Sequence, residues 1–130
     1  MLDHDTDSYY KISRAFVEGK PSGNLTRDNI LDNITLYWLT GTGASAARNY
    51  WDDGRARAAA AGQAPPPAAV PVGFTTFPGE IWAAPRSWVE TVYPGLTYFN
   101  EVDRGGHFAA WEEPDLFATE VRAAFRPLRK

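Results

Sequence analysis

The sequence predicts an α/β fold, and three observations predict it. The second half alternates short β-branched or aromatic runs with helical patterns in the order strand, helix, strand, helix, the grammar of a parallel sheet. The first half is patterned for helices throughout. Apolar residues make up 44% of the chain and aromatic ones 14%, enough to expect a packed core instead of a disordered polymer.

Each element has a local reason. Asp7 or Ser8 can cap a first helix, SYYKISRAFVEG, whose Tyr9, Ile12 and Phe16 share a face. The stretch GKPSGN breaks it. Thr26 is a suitable N-cap for a second helix, with Asp28 in its first turn and Ile30, Ile34, Tyr37 and Trp38 at the helical period. Gly41-Thr42-Gly43 ends that helix, and a third is expected from residue 44 to 53 with an alanine-rich continuation toward Gly62. QAPPPAA cannot be helical beyond its first residue, because consecutive prolines remove donors and clash with the preceding turn. VPVGFTTF reads as a strand over residues 70–77 and LTYFNEV as a second over 96–102. Between them Pro85 opens a helix, PRSWVETVY, that ends before Pro94. After the Gly105-Gly106 turn, Pro114 takes a first helical position, with Glu112 and Glu113 near the positive helix end and Phe117, Val121, Ala124 and Phe125 as the apolar face.

These readings divide the chain into a helical segment over 1–62, a proline-rich linker over 63–69 and a strand-and-helix region over 70–130. Two strands do not make a parallel sheet that can be covered on both faces, so the region reads as the edge of a larger sheet.

Bulk properties exclude several functions. The net charge is −3 and no basic stripe or Lys/Arg run with interleaved aromatics occurs, which argues against a nucleic-acid partner. Cysteine is absent, which removes disulfides, thiol catalysis and cysteine-based zinc sites, and fits a cytoplasmic setting. No apolar run approaches the ~20 residues of a membrane helix. The acidic opening MLDHDTDSYYKI is not expected to be a signal peptide.

Chemistry concentrates at two strand ends. His107 follows the second strand behind two glycines, and in open α/β sheets function gathers at the carboxyl ends of strands. Imidazole is also the side chain suited to proton transfer near neutrality. The alternative is a structural histidine packed among Phe108 and Trp111. Glu80 follows the first strand in TTFPGEIW, and two adjacent parallel strands would bring its loop beside that of His107, where a carboxylate can fix the imidazole tautomer. The alternative is a glutamate capping the turn into Pro85. Tyr50, in AARNYWDD, carries a phenol that can protonate a departing oxygen. Against that stands the usual place of a helical aromatic, the core.

Three segments, in order, resemble the epoxide hydrolases of the α/β-hydrolase superfamily, particularly the microsomal-type members. RGGHFAAWEEPDLFATEVRAAF resembles the family's histidine segment, which implies that His107 is the general base. VPVGFTTFPGEIWAAPRSWVE resembles its acid segment, which implies that Glu80, 27 positions earlier, is the acid partner. NITLYWLTGTGASAARNYW resembles the cap-to-core segment and puts Tyr50 on the position of a ring-opening tyrosine. The resemblance runs from about Leu25 to Phe125 and implies a remnant of the helical cap, followed by the last two parallel strands of the hydrolase core and their helices.

The family's aspartate nucleophile, set in a Gly-x-Asp-x-Gly-like elbow, has no counterpart here, and neither has its His-Gly-Trp-Pro-like oxyanion segment. Asp3, Asp5 and Asp7 lie in no such elbow, and no motif carries a second cap-tyrosine role onto Tyr9 or Tyr10. The sequence is therefore expected to be the C-terminal part of a longer parent and inactive alone, with Met1 an internal methionine. For that parent the resemblance implies a small-molecule epoxide substrate and no metal or cofactor; for this chain, self-association through exposed apolar surface is expected. Two other readings stay open: part of a haloalkane or haloacetate dehalogenase, in which a halide leaving group would leave Tyr50 without a task, and a non-catalytic binding module.

Overall fold

The computed structural model describes residues 16–19, 23–63 and 67–129. Of the first expected helix only Phe16 to Gly19 fall among them, and of these Phe16 alone is helical; Tyr9, Ile12 and the caps Asp7 and Ser8 lie outside the described residues, as do Asp3, Asp5 and Tyr10. The chain divides into two compact units, residues 28–66 and the remainder.

The helical unit is built from α1 (Arg27–Thr40, which opens at the end of the other unit) and α2 (Gly43–Ala59). The break between them is closed by the backbone. Gly41 N–H donates to the Trp38 carbonyl at 3.3 Å and Thr42 N–H to the Tyr37 carbonyl at 3.2 Å, the paired bonds that end a helix on a left-handed glycine. Ser45 Oγ then donates to the Thr42 carbonyl at the start of α2. Of the four residues at the helical period in α1, only Ile30 is buried; Ile34, Tyr37 and Trp38 are exposed. The reason lies in the run LYWL: Leu36 and Leu39 put apolar side chains on the helix flanks as well, so α1 is apolar around much of its circumference and has no single stripe to bury. Helix α2 has no buried residue and carries i, i+4 ion pairs, Arg48–Asp52 at 3.5 Å and Arg57–Asp53 at 3.0 Å. Exposed pairs of this kind stabilise a helix by only about 0.3–0.5 kcal/mol each.

The other unit holds β1 (Val72–Thr76), α3 (Arg86–Val92), β2 (Leu96–Glu101), the one-turn α4 (Ala109–Glu112) and α5 (Pro114–Phe125), which runs into a 3₁₀ turn over Arg126–Leu128. The strands pair in parallel, with Phe74 opposite Phe99, Thr75 opposite Asn100 and Thr76 opposite Glu101. The fold class is thus α/β, a parallel two-stranded sheet with a helical crossover. Phe74 and Phe99 stack across the pair with ring centroids 5.9 Å apart. Val89 of α3 is buried, as are Leu25 and Ala109.

Helix α5 lies close to the sheet because Gly73 has no side chain. A Cβ built there would meet the Ala124 Cβ at 2.7 Å, well inside contact distance. The contact of α5 with the sheet is not the purely apolar face expected of it. Its one buried residue is Glu120, while Phe117, Val121 and Phe125 are partly exposed and border an open groove of about 300 Å³ along β1. Glu112, expected beside the positive end of α5, also ends α4 and is buried.

Candidate functional site

The two strand ends named by the sequence converge. Beyond Thr76 the ladder continues through a hydrogen bond from Val102 N–H to the Thr76 carbonyl, 3.1 Å. The chain after β1 then turns at Phe77-Pro78-Gly79-Glu80, closed by Glu80 N–H donating to the Phe77 carbonyl at 3.1 Å. Proline suits the second position of such a turn because its φ is already set. Gly79 pairs with Gly106 in a parallel bridge, and Gly79 N–H donates to the Gly105 carbonyl at 2.9 Å. The two loops are therefore tied backbone to backbone one residue before Glu80 and His107.

Gly105 makes that approach possible. Its φ is +94°, a conformation that L side chains rarely adopt, and a Cβ there would lie 2.8 Å from Phe77 Cδ1. Beyond it the chain enters α4, where Phe108 N–H donates to Glu112 Oε1 at 3.2 Å and Ala109 N–H to the Gly106 carbonyl at 3.0 Å. Asn24 N–H donates to the Glu112 carbonyl at 2.7 Å, which anchors α4 from an earlier part of the chain. Arg104 reaches Glu113 at 3.2 Å.

On this frame His107 Nδ1 and Glu80 Oε1 lie 2.8 Å apart. An ionised carboxylate only accepts, so Nδ1 carries the proton and donates it, which puts the basic lone pair on Nε2. The same Glu80 oxygen also accepts the Ile81 N–H at 2.8 Å, which fixes the carboxylate from its own backbone. His107 also packs edge-on to Phe108, ring centroids 5.0 Å apart, and Phe108 in turn meets Trp111. The packed histidine and the carboxylate-bonded histidine are thus one arrangement. With about a third of each side chain exposed, 37% for His107 and 30% for Glu80, the pair is reachable by a small molecule.

Tyr50, the third residue singled out from the sequence, lies in α2 of the helical unit and is 70% exposed. Among the described residues no group of three or more His, Cys, Asp or Glu is placed to hold a metal ion, and no helix is long and apolar enough to cross a membrane.

Sequence reasoning missed Glu120. Its Oε2 accepts from Thr75 Oγ1 at 3.0 Å, Tyr98 OH at 2.9 Å and Asn100 Nδ2 at 3.1 Å, so one carboxylate touches both strands. Burial, above all, and then the hydrogen bond and negative charge of Glu120 push the Tyr98 phenol above its ordinary range. The signal was there to find: Thr75, Tyr98 and Asn100 put polar atoms on one face of the two strands, and such atoms need a partner where a helix covers them.

No protein-family model matches the chain. Individual relatives do. A candidate epoxide hydrolase of Stigmatella aurantiaca is 49% identical over 112 residues, 86% of this chain and 24% of the relative. Epoxide hydrolase 1 of Sus scrofa is 38% identical over 109 residues, again 84% of this chain against 24% of the relative. Juvenile hormone epoxide hydrolase 2 of Ctenocephalides felis is 29% identical over 126 residues. The chain spans about a quarter of the length of these curated relatives, and over that quarter it belongs to the epoxide hydrolase family.

Proposed function

We propose that this chain is the C-terminal, base-bearing part of a microsomal-type epoxide hydrolase with an α/β-hydrolase core, acting on a small-molecule epoxide. The observation that carries the reading is the 2.8 Å contact between His107 Nδ1 and Glu80 Oε1 at the ends of adjacent parallel strands.

The reaction needs three contributions. A carboxylate nucleophile, supplied by polypeptide outside the matched quarter, attacks one epoxide carbon. The carbon–oxygen bond breaks, an ester forms, and the Tyr50 phenol protonates the departing oxygen. His107 Nε2 then takes a proton from water, and the resulting hydroxide attacks the ester carbonyl. The second hydroxyl of the diol leaves with the substrate carbon, and the carboxylate is restored. Glu80 holds the imidazole tautomer and stabilises the imidazolium while it carries that proton. The proton returns to the tyrosinate, so the net change is epoxide plus water to diol. A cytoplasmic setting belongs to the same reading, and the absence of cysteine is compatible with it.

The test is a hybrid in which this chain replaces the matching quarter of the Stigmatella aurantiaca relative. With His107→Gln the hybrid should form the ester and fail to hydrolyse it, leaving an enzyme heavier by one mass of styrene oxide. A His107→Gln hybrid that turned over at the unmodified rate would exclude His107 as the base.

A further inference from the structure

Glu120 is a buried carboxylate that the proposed reaction does not use. It sits on α5, the second helix after the His107 loop, and reaches back to both strands. Its partners are not arbitrary. Thr75 and Asn100 face each other in the ladder, and Tyr98 faces Gly73, so all three donors lie on the sheet face that α5 covers.

We infer that Glu120 is a positioning residue, a clamp that fixes the register of β1 against β2 and through it the approach of Glu80 to His107. This deepens the function proposed above and rests on it. The strands are short, and the ladder is irregular between Val72 and Gly73, so their backbone bonds alone specify the register weakly. A slip of one residue moves a strand by about 3.3 Å and turns its side chains to the opposite face. It would present Phe74 or Thr76 to Glu120 in place of Thr75, and Phe99 or the carboxylate of Glu101 in place of Asn100. None but Thr76 offers a donor, and Glu101 would oppose a like charge. The loops bearing Glu80 and His107 leave the same strands just beyond this clamp, so the slipped register would break their 2.8 Å contact.

The test reads the pair without any substrate. In the 130-residue chain with ring-¹⁵N histidine, long-range proton–nitrogen correlation spectra report which ring nitrogen of His107 carries the proton and how fast it exchanges. The unmodified chain should show a slowly exchanging Nδ1 proton, and Glu80→Gln marks its loss. Glu120→Leu, which removes the acceptors, should speed that exchange at least tenfold and populate the Nε2-protonated tautomer. Glu120→Gln keeps one accepting oxygen and should fall between. A purely structural role would lower the melting temperature of Glu120→Leu and leave the His107 signal of the folded chain unchanged, which overturns the clamp. If Glu120→Leu does not fold, Glu120→Gln decides on the same signal. If neither folds, Glu120 holds the whole fold and the narrower assignment fails. Failure of the hybrid to open an epoxide would leave this spectroscopic result standing, so the two readings fail separately.

Discussion

Glu80 Oε1 accepts two hydrogen bonds of 2.8 Å, one from His107 Nδ1 and one from the Ile81 N–H of its own backbone. The carboxylate is therefore held from its own backbone as well as by the imidazole. Replacing Glu80 by Gln keeps the shape and removes the charge that stabilises an imidazolium. In the hybrid enzyme, Glu80→Gln should slow ester hydrolysis on the order of 10²-fold while leaving ester formation nearly unchanged. Single-turnover kinetics separate the two steps. Equal slowing of both would place Glu80 outside the role of His107's partner.

Gly105→Ala should act on the same pair through the backbone. A φ of +94° and a contact of 2.8 Å to Phe77 both oppose a Cβ at this position. The expected loss is about 2 kcal/mol of stability, read from denaturant melts, with faster exchange of the Gly79 amide that donates to Gly105. An alanine variant as stable as the parent, with Gly79 still protected, would show that the loop relaxes freely.

How far the sequence carried these conclusions differs by region. The strand ends were legible because FPGE and RGGH each place an ionisable side chain on turn residues just beyond a strand-like run. Local chemistry places such residues, and parallel pairing then brings them together. The core face of α5 was legible only in part: Ala124 does lie against Gly73 of β1. Helical periodicity put Phe117, Val121, Ala124 and Phe125 toward the sheet, yet the buried side chain is Glu120. Periodicity weighs apolar residues only, whereas the sheet face beneath α5 is polar at Thr75, Tyr98 and Asn100. In the helical unit the helices stand where the period put them, yet Ile34, Tyr37 and Trp38 are exposed, because a period cannot tell which surface lies opposite.

Tyr98 gives a pH prediction whose sign follows from its displacement. Burial and the adjacent Glu120 carboxylate raise the phenol above its unfolded value of 10.0. The stabilisation this represents is fully present below pH 10 and is lost as pH rises through the higher folded value, because the unfolded chain releases the proton first. Chemical melts between pH 8 and 11 should therefore show falling stability above about pH 10. Tyr98→Phe should remove that contribution to the alkaline loss, at the expense of about 1 kcal/mol at neutral pH for the hydrogen bond to Glu120. An identical alkaline decline in Tyr98→Phe would assign the effect to other groups.

The chain by itself should neither open epoxides nor remain monomeric. The chemical reason is that His107 and Glu80 can activate water but need an ester to attack, and the sequence holds no Gly-x-Asp-x-Gly-like elbow to supply the nucleophile. Loss of a nucleophile commonly lowers rate by about 10⁶-fold. The physical reason is separate. Among the described residues the sheet has two strands, and a parallel sheet is normally covered on both faces and flanked by further strands. Large apolar side chains stand in solvent in both units: Trp38 is 83% exposed and Trp82 82%. Such surface favours association with other chains, and unpaired strand edges offer backbone groups for it. Sedimentation of the purified chain should show oligomers, with binding of an apolar dye, and incubation with styrene oxide should yield no diol above the uncatalysed rate. Mixing in the Stigmatella aurantiaca relative truncated before its matching quarter should reduce dye binding and produce diol, because the missing nucleophile and the missing cover arrive together. Diol formed by the chain alone would require a nucleophile within these 130 residues, and a dye-free monomer would mean that its own helices already cover the sheet.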